Sequence, residues 1–284
     1  MISRTEGFIT VADGERVWYE TAGEGPDLIL THGLGGNAAV WYQQVPYFAQ
    51  HYRVISWDQR GFGRSTNENG NHGPVAAVSD LIEIMDLLAV DRAHVVGQSM
   101  GGWAALGTAI AVPDRVESVV LACTTGGIPV GFGPDSAPPL TAAPVTARPL
   151  GEHPAVGGRL PSLDMARAYL YQALGTFGHR PPDTEFFRIL KAHNYSPSDL
   201  AAVTAPVLLI AGELDDLMTP ERIRSAAEFL PHAEVVELAD RGHSPISRTH
   251  TRGTSWWRTS WPMFVRAQCA ETPTRHAYSN SEEI

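Results

Sequence analysis

The chain of 284 residues is 43% hydrophobic and 8% aromatic, and its formal net charge is -10 at pH 7. This length suits one large α/β domain with an insertion or two smaller domains. The acidic charge argues against nucleic acid and anionic membranes as partners. No stretch approaches the roughly 18 apolar residues that span a bilayer, and the first residues lack a basic segment followed by an apolar core. We therefore expect a cytoplasmic protein that binds a small molecule and has no membrane or nucleic-acid partner.

The cysteines and histidines predict neither disulfides nor a metal site. Cys123 lies in an apolar stretch and Cys269 in a polar tail, which is not the spacing of a disulfide framework. The 11 histidines form neither H-E-x-x-H nor a paired cysteine and histidine array. We expect no metal and no cofactor.

The N-terminal part predicts a hairpin and then a buried strand. Residues 6–11 and 16–20 alternate apolar and polar side chains around Asp13-Gly14, which is a hairpin signature. The apolar run 27–31 ends in the loop His-Gly-Leu-Gly-Gly-Asn at 32–37, which lacks the spacing of a phosphate-binding loop. We interpret the Leu34 N–H as an oxyanion donor and His32 as the organiser of this loop.

The next segment alternates between helical and strand patterns. An amphipathic stretch at 38–50 precedes a predicted strand at 52–57, and apolar residues at helical spacing predict a helix at 74–88 that covers one sheet face. Between them, charged residues and glycines alternate at 58–65. We expect ion pairs and hydrogen bonds to hold this loop, with substrate contact as the alternative.

A glycine-flanked serine follows the next predicted strand, at 93–98. The sequence Gly-Gln-Ser-Met-Gly at 97–101 fits the G-x-S-x-G nucleophile elbow, a strained turn that presents Ser99 and aims the Met100 N–H at a developing oxyanion. The pentapeptide by itself also fits an ordinary tight turn. Another apolar strand is predicted at 116–124.

The alternation stops at Gly126. Residues 126–161 are rich in proline, glycine, alanine and threonine, and short helices are predicted at 163–174 and 184–193. We interpret 126–202 as a lid inserted over the C-terminal edge of the sheet, with a disordered linker as the alternative. The α/β core then comprises 1–125 and 203–284. Aromatic residues of the lid either line a pocket or form a small core, namely Phe132, Tyr169, Phe177, Phe186, Phe187 and Tyr195.

Two further strands carry the remaining chemistry. The strand at 206–212 is followed by Asp215 and Asp216, and the strand at 233–238 is followed by Gly242-His243. The alternating pattern predicts a doubly wound, mostly parallel sheet. A serine becomes a nucleophile when an imidazole takes its proton and a carboxylate orients that imidazole. Ser99, Asp215 and His243 follow successive predicted strands and supply these three groups.

These motifs together resemble the α/β-hydrolase superfamily, and specifically its serine esterases and lactonases with a lid insertion. The resemblance covers about residues 7–245 and rests on the loops at 32–37 and 58–65, the elbow at 97–101, G-x-x-D at 212–215 and G-H at 242–243. It implies Ser99 as nucleophile, His243 as base and Asp215 as its orienting carboxylate, with Asp216 as the alternative. The implied activity is cleavage of a small carboxylic ester or lactone through an acyl-enzyme.

Other activities on the same fold remain open. A serine at the elbow disfavours relatives that attack through a carboxylate, such as dehalogenases and epoxide hydrolases. Carbon–carbon bond hydrolases typically carry an aromatic residue soon after the histidine, whereas Ser244-Pro245-Ile246 follows here. A perhydrolase and a non-catalytic ligand receptor are the further alternatives, and the oligomeric state is not predicted.

The sequence departs from the family pattern after Pro245. A final amphipathic helix is expected, yet residues 247–262 contain three tryptophans and no helical period. Codons exist for this peptide that, read one base out of register, encode Ser-Asn-Ala-His-Ala-Trp-Asn-Glu-Leu-Val-Ala-Asp-Phe-Leu-Ala, an amphipathic helix. We therefore hypothesise a frameshift from about Ile246, which resequencing the gene tests. A natural tryptophan-rich tail that touches membranes is the rival interpretation.

Overall fold

A computed structural model describes residues 1–130, 149–150, 159–181 and 183–245 of the chain. Within them the strands are β1 (Arg4–Thr10), β2 (Arg16–Ala22), β3 (Asp27–Thr31), β4 (Arg53–Trp57), β5 (Ala93–Gln98), β6 (Val116–Ala122), β7 (Val207–Gly212) and β8 (Ala233–Leu238). The helices are α1 (Gln44–Phe48), α2 (Pro74–Leu87), α3 (Gly101–Ala111), α4 (Arg159–Leu163), α5 (Met165–Leu174), α6 (Asp183–Ala192), α7 (Pro197–Ala201) and α8 (Pro220–Ala227). None of the helices in these ranges is long and apolar enough to cross a membrane.

The strands form one sheet in the order β1-β2-β4-β3-β5-β6-β7-β8. The hairpin of β1 and β2 is antiparallel and joins β4 in the same sense, whereas β4, β3, β5, β6, β7 and β8 are parallel neighbours. Consecutive residues of β3 are buried on opposite faces: Leu28 and Ile29 are 0% exposed and Leu30 is 1% exposed. Helices therefore cover both faces, as continuous apolar strands require. The predicted fold class, a doubly wound and mostly parallel sheet, is confirmed.

The amphipathic stretch at 38–50 folds as two short pieces. A 3₁₀ turn covers Ala38–Trp41 and begins where the Asn37 side chain accepts a hydrogen bond from the Ala39 N–H. Helix α1 follows, and both pieces bury large side chains, with Trp41 0% and Phe48 2% exposed. The 3₁₀ turn packs against β3 and β4.

Helices α4 to α7 lie in the chain between β6 and β7. The predicted helices at 163–174 and 184–193 correspond to α5 and α6, and α7 begins with a capping box between Ser196 and Asp199. Phe186 is 3% exposed and Tyr195 packs against the main core, whereas Tyr169 and Phe177 are 52% and 64% exposed.

Parts of two sequence predictions fall outside the described residues. The extent of the predicted lid at 126–202 stays a prediction, because 131–148, 151–158 and 182 are not described, and Phe132 lies among them. The tail from Ile246 to the C-terminus also lies outside the described residues, so the frameshift hypothesis and its rival stay predictions.

Candidate active site

Ser99 lies in the tight turn between β5 and α3. Its φ of 51° places a non-glycine residue in the left-handed region, a strained conformation of the kind found at nucleophile elbows. Its N–H donates a hydrogen bond to Ala122 O at 3.0 Å, which extends the sheet to the turn. A Cβ on Gly97 would collide with Gly101 O and lie 2.7 Å from Gly102 Cα. The turn therefore needs glycine at position 97.

His243 follows β8 and contacts both Ser99 and Asp215. Its Nε2 lies 2.7 Å from Ser99 Oγ, and its Nδ1 lies 2.9 Å from Asp215 Oδ2. An ionised carboxylate only accepts hydrogen bonds, so Nδ1 of the neutral imidazole carries the proton and Nε2 accepts from the serine hydroxyl. This is the tautomer that a general base for serine needs.

The Asp215 carboxylate is held in place by the backbone. Its Oδ1 accepts hydrogen bonds from the N–H groups of Leu217 and Met218, each at 2.9 Å, and its side chain is fully buried. Asp216, the alternative carboxylate, is exposed. The structure therefore brings Asp215 to His243.

The loop at 32–37 passes beside the serine. A Cβ built on Gly33 would lie 3.1 Å from Ser99 Cβ, and the side chains of Leu34 and Met100 belong to one apolar cluster. In the part of the chain that the structure describes, neither the Leu34 N–H nor the Met100 N–H donates to a protein acceptor. Both expected oxyanion donors are therefore carried by segments that flank Ser99.

The buried His32 side chain holds this loop through hydrogen bonds. It is 0% exposed, its Nε2 accepts from the Gln59 N–H at 3.0 Å, and its Nδ1 donates to Gly33 O at 2.9 Å. The Gln59 side chain also donates to His32 O at 2.6 Å. Burial lowers the pKa of His32, which keeps the ring neutral and its two hydrogen bonds fixed.

Ion pairs hold the loop at 58–65, as predicted. The buried carboxylate of Asp58 accepts from the Arg64 Nε at 2.8 Å and from the Ala38 N–H at 2.7 Å. The buried Arg60 guanidinium pairs with Asp80 at 2.5 Å. This loop therefore supports residues 32–37 from the neighbouring strand end.

A small apolar cluster lies between the elbow and α6. It consists of Phe62, Met100, Trp103, Phe186 and Leu190, with Leu34 packed against it. A cavity of about 10 Å³ adjoins it, lined by Met100, Trp103, Phe186 and Leu190 among others. That volume is about the size that one water molecule needs.

Gln98 lies within the elbow motif but was not among the predicted site residues. Its side chain is buried and donates a hydrogen bond to His243 O at 3.1 Å. The available signal was an amide at the end of an apolar strand, where a buried polar group requires a partner.

Comparisons with known proteins bear on the family and the fold. Residues 28–251 match the model of the alpha/beta hydrolase family. RutD of Stutzerimonas stutzeri, a protein proposed to be a carbamate hydrolase, is 30% identical over 235 residues, which cover 78% of this chain and 86% of that protein. The pimeloyl-[acyl-carrier protein] methyl ester esterase of Aeromonas salmonicida is 27% identical over 248 residues, or 81% and 93% of the two chains.

A solved structure extends the likeness to three dimensions. Est816, an N-acyl homoserine lactone degrading enzyme, superimposes with a TM-score of 0.72 at 26% identity, covering 92% of this chain and 99% of its own. The family match spans well over half of the 284 residues. The chain therefore belongs to the alpha/beta hydrolase family and is a hydrolase.

Proposed function

We propose that this protein is a serine hydrolase that cleaves a small carboxylic ester or lactone through an acyl-enzyme. The observation that carries the proposal is the 2.7 Å contact between His243 Nε2 and the hydroxyl of the strained Ser99. A hydroxyl already hydrogen-bonded to a base that a carboxylate orients is the arrangement that nucleophilic acyl transfer requires.

The reaction follows from these contacts in two steps. Ser99 Oγ attacks the acyl carbonyl while His243 Nε2 takes its proton, and the resulting imidazolium then protonates the departing alkoxide. Water next attacks the acyl-serine, and His243 accepts a water proton and returns it to Ser99 Oγ. The products are a carboxylic acid and an alcohol, or one hydroxy acid when the substrate is a lactone.

Two backbone N–H groups supply the electrostatic part of this proposal. The Leu34 and Met100 N–H groups stabilise the oxyanion, and the N-terminus of α3 adds its partial positive charge. Removing one such donor typically slows turnover by about 100- to 1000-fold. Asp215 orients His243 and stabilises its charged form.

The chemical class of the substrate is proposed from the relatives. The likeness to the Aeromonas methyl ester esterase and to Est816 supports ester and lactone substrates. The likeness to RutD favours carbamates as a second candidate class, because their carbonyl accepts the same attack.

Turnover of a substrate panel tests the function. Short chromogenic esters, γ-lactones and aryl carbamates are incubated with the wild type and with Ser99→Ala, whose fold is checked by circular dichroism. We expect turnover of at least one ester or lactone by the wild type, and its loss in a folded Ser99→Ala variant. Retained activity in the variant would place the nucleophile elsewhere.

The alternatives differ in their products and in labelling. A carbon–carbon hydrolase cleaves the bond beside a ketone of a ring-cleavage substrate and releases a carboxylic acid and an enol, whereas a perhydrolase forms a peracid from a carboxylic acid or ester and hydrogen peroxide. A non-catalytic receptor binds ligand but does not react with a fluorophosphonate at Ser99. The cytoplasmic location expected from the sequence stays a proposal, which cell fractionation tests.

A further inference from the structure

The histidine loop, residues 239–245 after β8, contacts the sheet through its backbone carbonyls. Gln98 Nε2 donates to His243 O at 3.1 Å, although 145 residues separate the two in sequence. Next to it, the Cys123 thiol donates to Gly242 O at 3.8 Å. Both side chains are buried, and of the two the Gln98 amide is the stronger donor to the loop that carries His243.

The oxygen of the same amide contacts the loop at 32–37, which we call the oxyanion loop. A Cβ on Gly33 would collide with Gln98 Oε1 and lie 3.2 Å from Gln98 Cδ. The Gly33 Cα–H bond therefore points at the amide oxygen, and such Cα–H···O contacts are weakly attractive. Glycine at position 33 allows this approach, since any side chain would displace the Gln98 amide.

Gln98 is thereby in contact with all three parts of the site. Its backbone precedes Ser99, its Nε2 holds the loop of His243, and its Oε1 touches the residue before Leu34. The residue is 2% exposed, so water does not compete for these contacts. Replacing the amide would leave His243 O without this donor and loosen both loops.

We propose that Gln98 is a positioning residue that holds the histidine loop and the oxyanion loop in register with the nucleophile. The proposal rests on the proposed function of Ser99 and His243. A misplacement of about 1 Å in a catalytic group costs about 100-fold in rate, whereas binding of a small substrate depends little on it. Loss of the Gln98 amide should therefore lower kcat more than it raises KM.

Gln98→Met tests this, because methionine keeps the length of the side chain and removes both polar contacts. The matched control is Gln44→Met, which replaces another buried glutamine, 1% exposed, at the start of α1. Active sites are titrated with a fluorophosphonate so that kcat is expressed per reactive serine. We expect Gln98→Met to lose about 10- to 100-fold in kcat with KM within about threefold, and Gln44→Met to keep kcat.

A purely structural role predicts a different result. It would lower the fraction of titratable protein and leave kcat per titrated serine unchanged, and that result would overturn the proposal. Gln98→Asn, which keeps the amide but shortens its reach by one methylene, replaces the methionine variant if that variant does not fold.

A second measurement separates this proposal from the proposed function. Hydrogen exchange of the Gln98 side-chain amide is followed by NMR in the wild type, where the contact with His243 O predicts slow exchange. Rapid exchange would overturn the positioning role even if the enzyme is active. If exchange is slow but the protein hydrolyses no ester, the contact between Gln98 and His243 O is supported and only the proposed function is rejected.

Discussion

Asp215→Asn replaces one carboxylate oxygen by NH2, and the surrounding hydrogen bonds decide which way the new amide faces. Oδ1 accepts from two backbone N–H groups, of Leu217 and Met218, each at 2.9 Å. An amide NH2 in that position would face two donors, so the amide oxygen stays there. The NH2 group then faces Nδ1 of His243.

The consequence is a change of tautomer at His243. With a donor opposite it, Nδ1 must act as acceptor, so the proton moves to Nε2 and points at Ser99 Oγ. The imidazole then cannot accept the serine proton. The corresponding substitution in the Ser-His-Asp template lowers kcat by about 10⁴, which is about 5 kcal/mol of activation free energy.

The assay is the steady-state hydrolysis of a short chromogenic ester, with unfolding by urea measured in parallel. Asp216→Asn is the matched control, because Asp216 is adjacent and exposed. We expect kcat to fall by about 10⁴ for Asp215→Asn and to stay within about twofold for Asp216→Asn. A folded Asp215→Asn variant that retains a tenth or more of the wild-type kcat would refute this reasoning.

Three further predictions concern stability. Gly97→Ala should lower the free energy of unfolding by about 1–3 kcal/mol, because its Cβ would collide with Gly101 O. Arg60→Met should cost about 3–5 kcal/mol, since it leaves the fully buried Asp80 carboxylate unpaired. Burial lowers the pKa of His94 from 6.5 to about 4. As pH falls from 6.5 to 4, the unfolded chain therefore binds a proton at His94 before the folded chain does, and the free energy of unfolding falls by about 3 kcal/mol over that range.

Urea unfolding measures all three changes. Gly7→Ala, whose Cβ would meet only the flexible Tyr19 side chain at 3.2 Å, is the control for Gly97. Arg224→Met, in a half-exposed ion pair, should cost less than about 1 kcal/mol. His94→Asn should flatten the acid limb of the stability profile. An unchanged profile for His94→Asn, or equal losses in a variant and its control, would contradict the assigned causes.

Much of the fold could be predicted because each central strand is a short apolar run with glycine, proline or charged residues at its ends. The predicted run at 27–31 coincides with β3, and the run at 206–212 contains β7 (Val207–Gly212). The three site residues could be proposed because each one follows a strand, and parallel strands end at one edge of a sheet. The resemblance implied Asp215 with Asp216 as the alternative, and in the structure Asp215 contacts His243 whereas Asp216 is exposed.

Contacts between distant segments could not be predicted. The hydrogen bond from Gln98 to His243 O joins residues 145 positions apart, and no local pattern encodes it. The same is true of Phe186, for which the sequence left open a pocket lining or a small core and did not indicate that Met100 and Trp103 belong to the same cluster. Among the described residues, Asp215 contacts the His243 ring and Gln98 contacts its backbone carbonyl.

Covalent labelling of the wild type tests the central claim most directly. The protein is treated with a fluorophosphonate, its intact mass is recorded, and the modified peptide is sequenced by tandem mass spectrometry. We predict one adduct per chain, located on Ser99, which is absent in a folded Ser99→Ala variant and slowed in Asp215→Asn. An unlabelled Ser99 in the folded wild type, or an equally rapid adduct in Ser99→Ala, would contradict the assignment of Ser99 as the nucleophile.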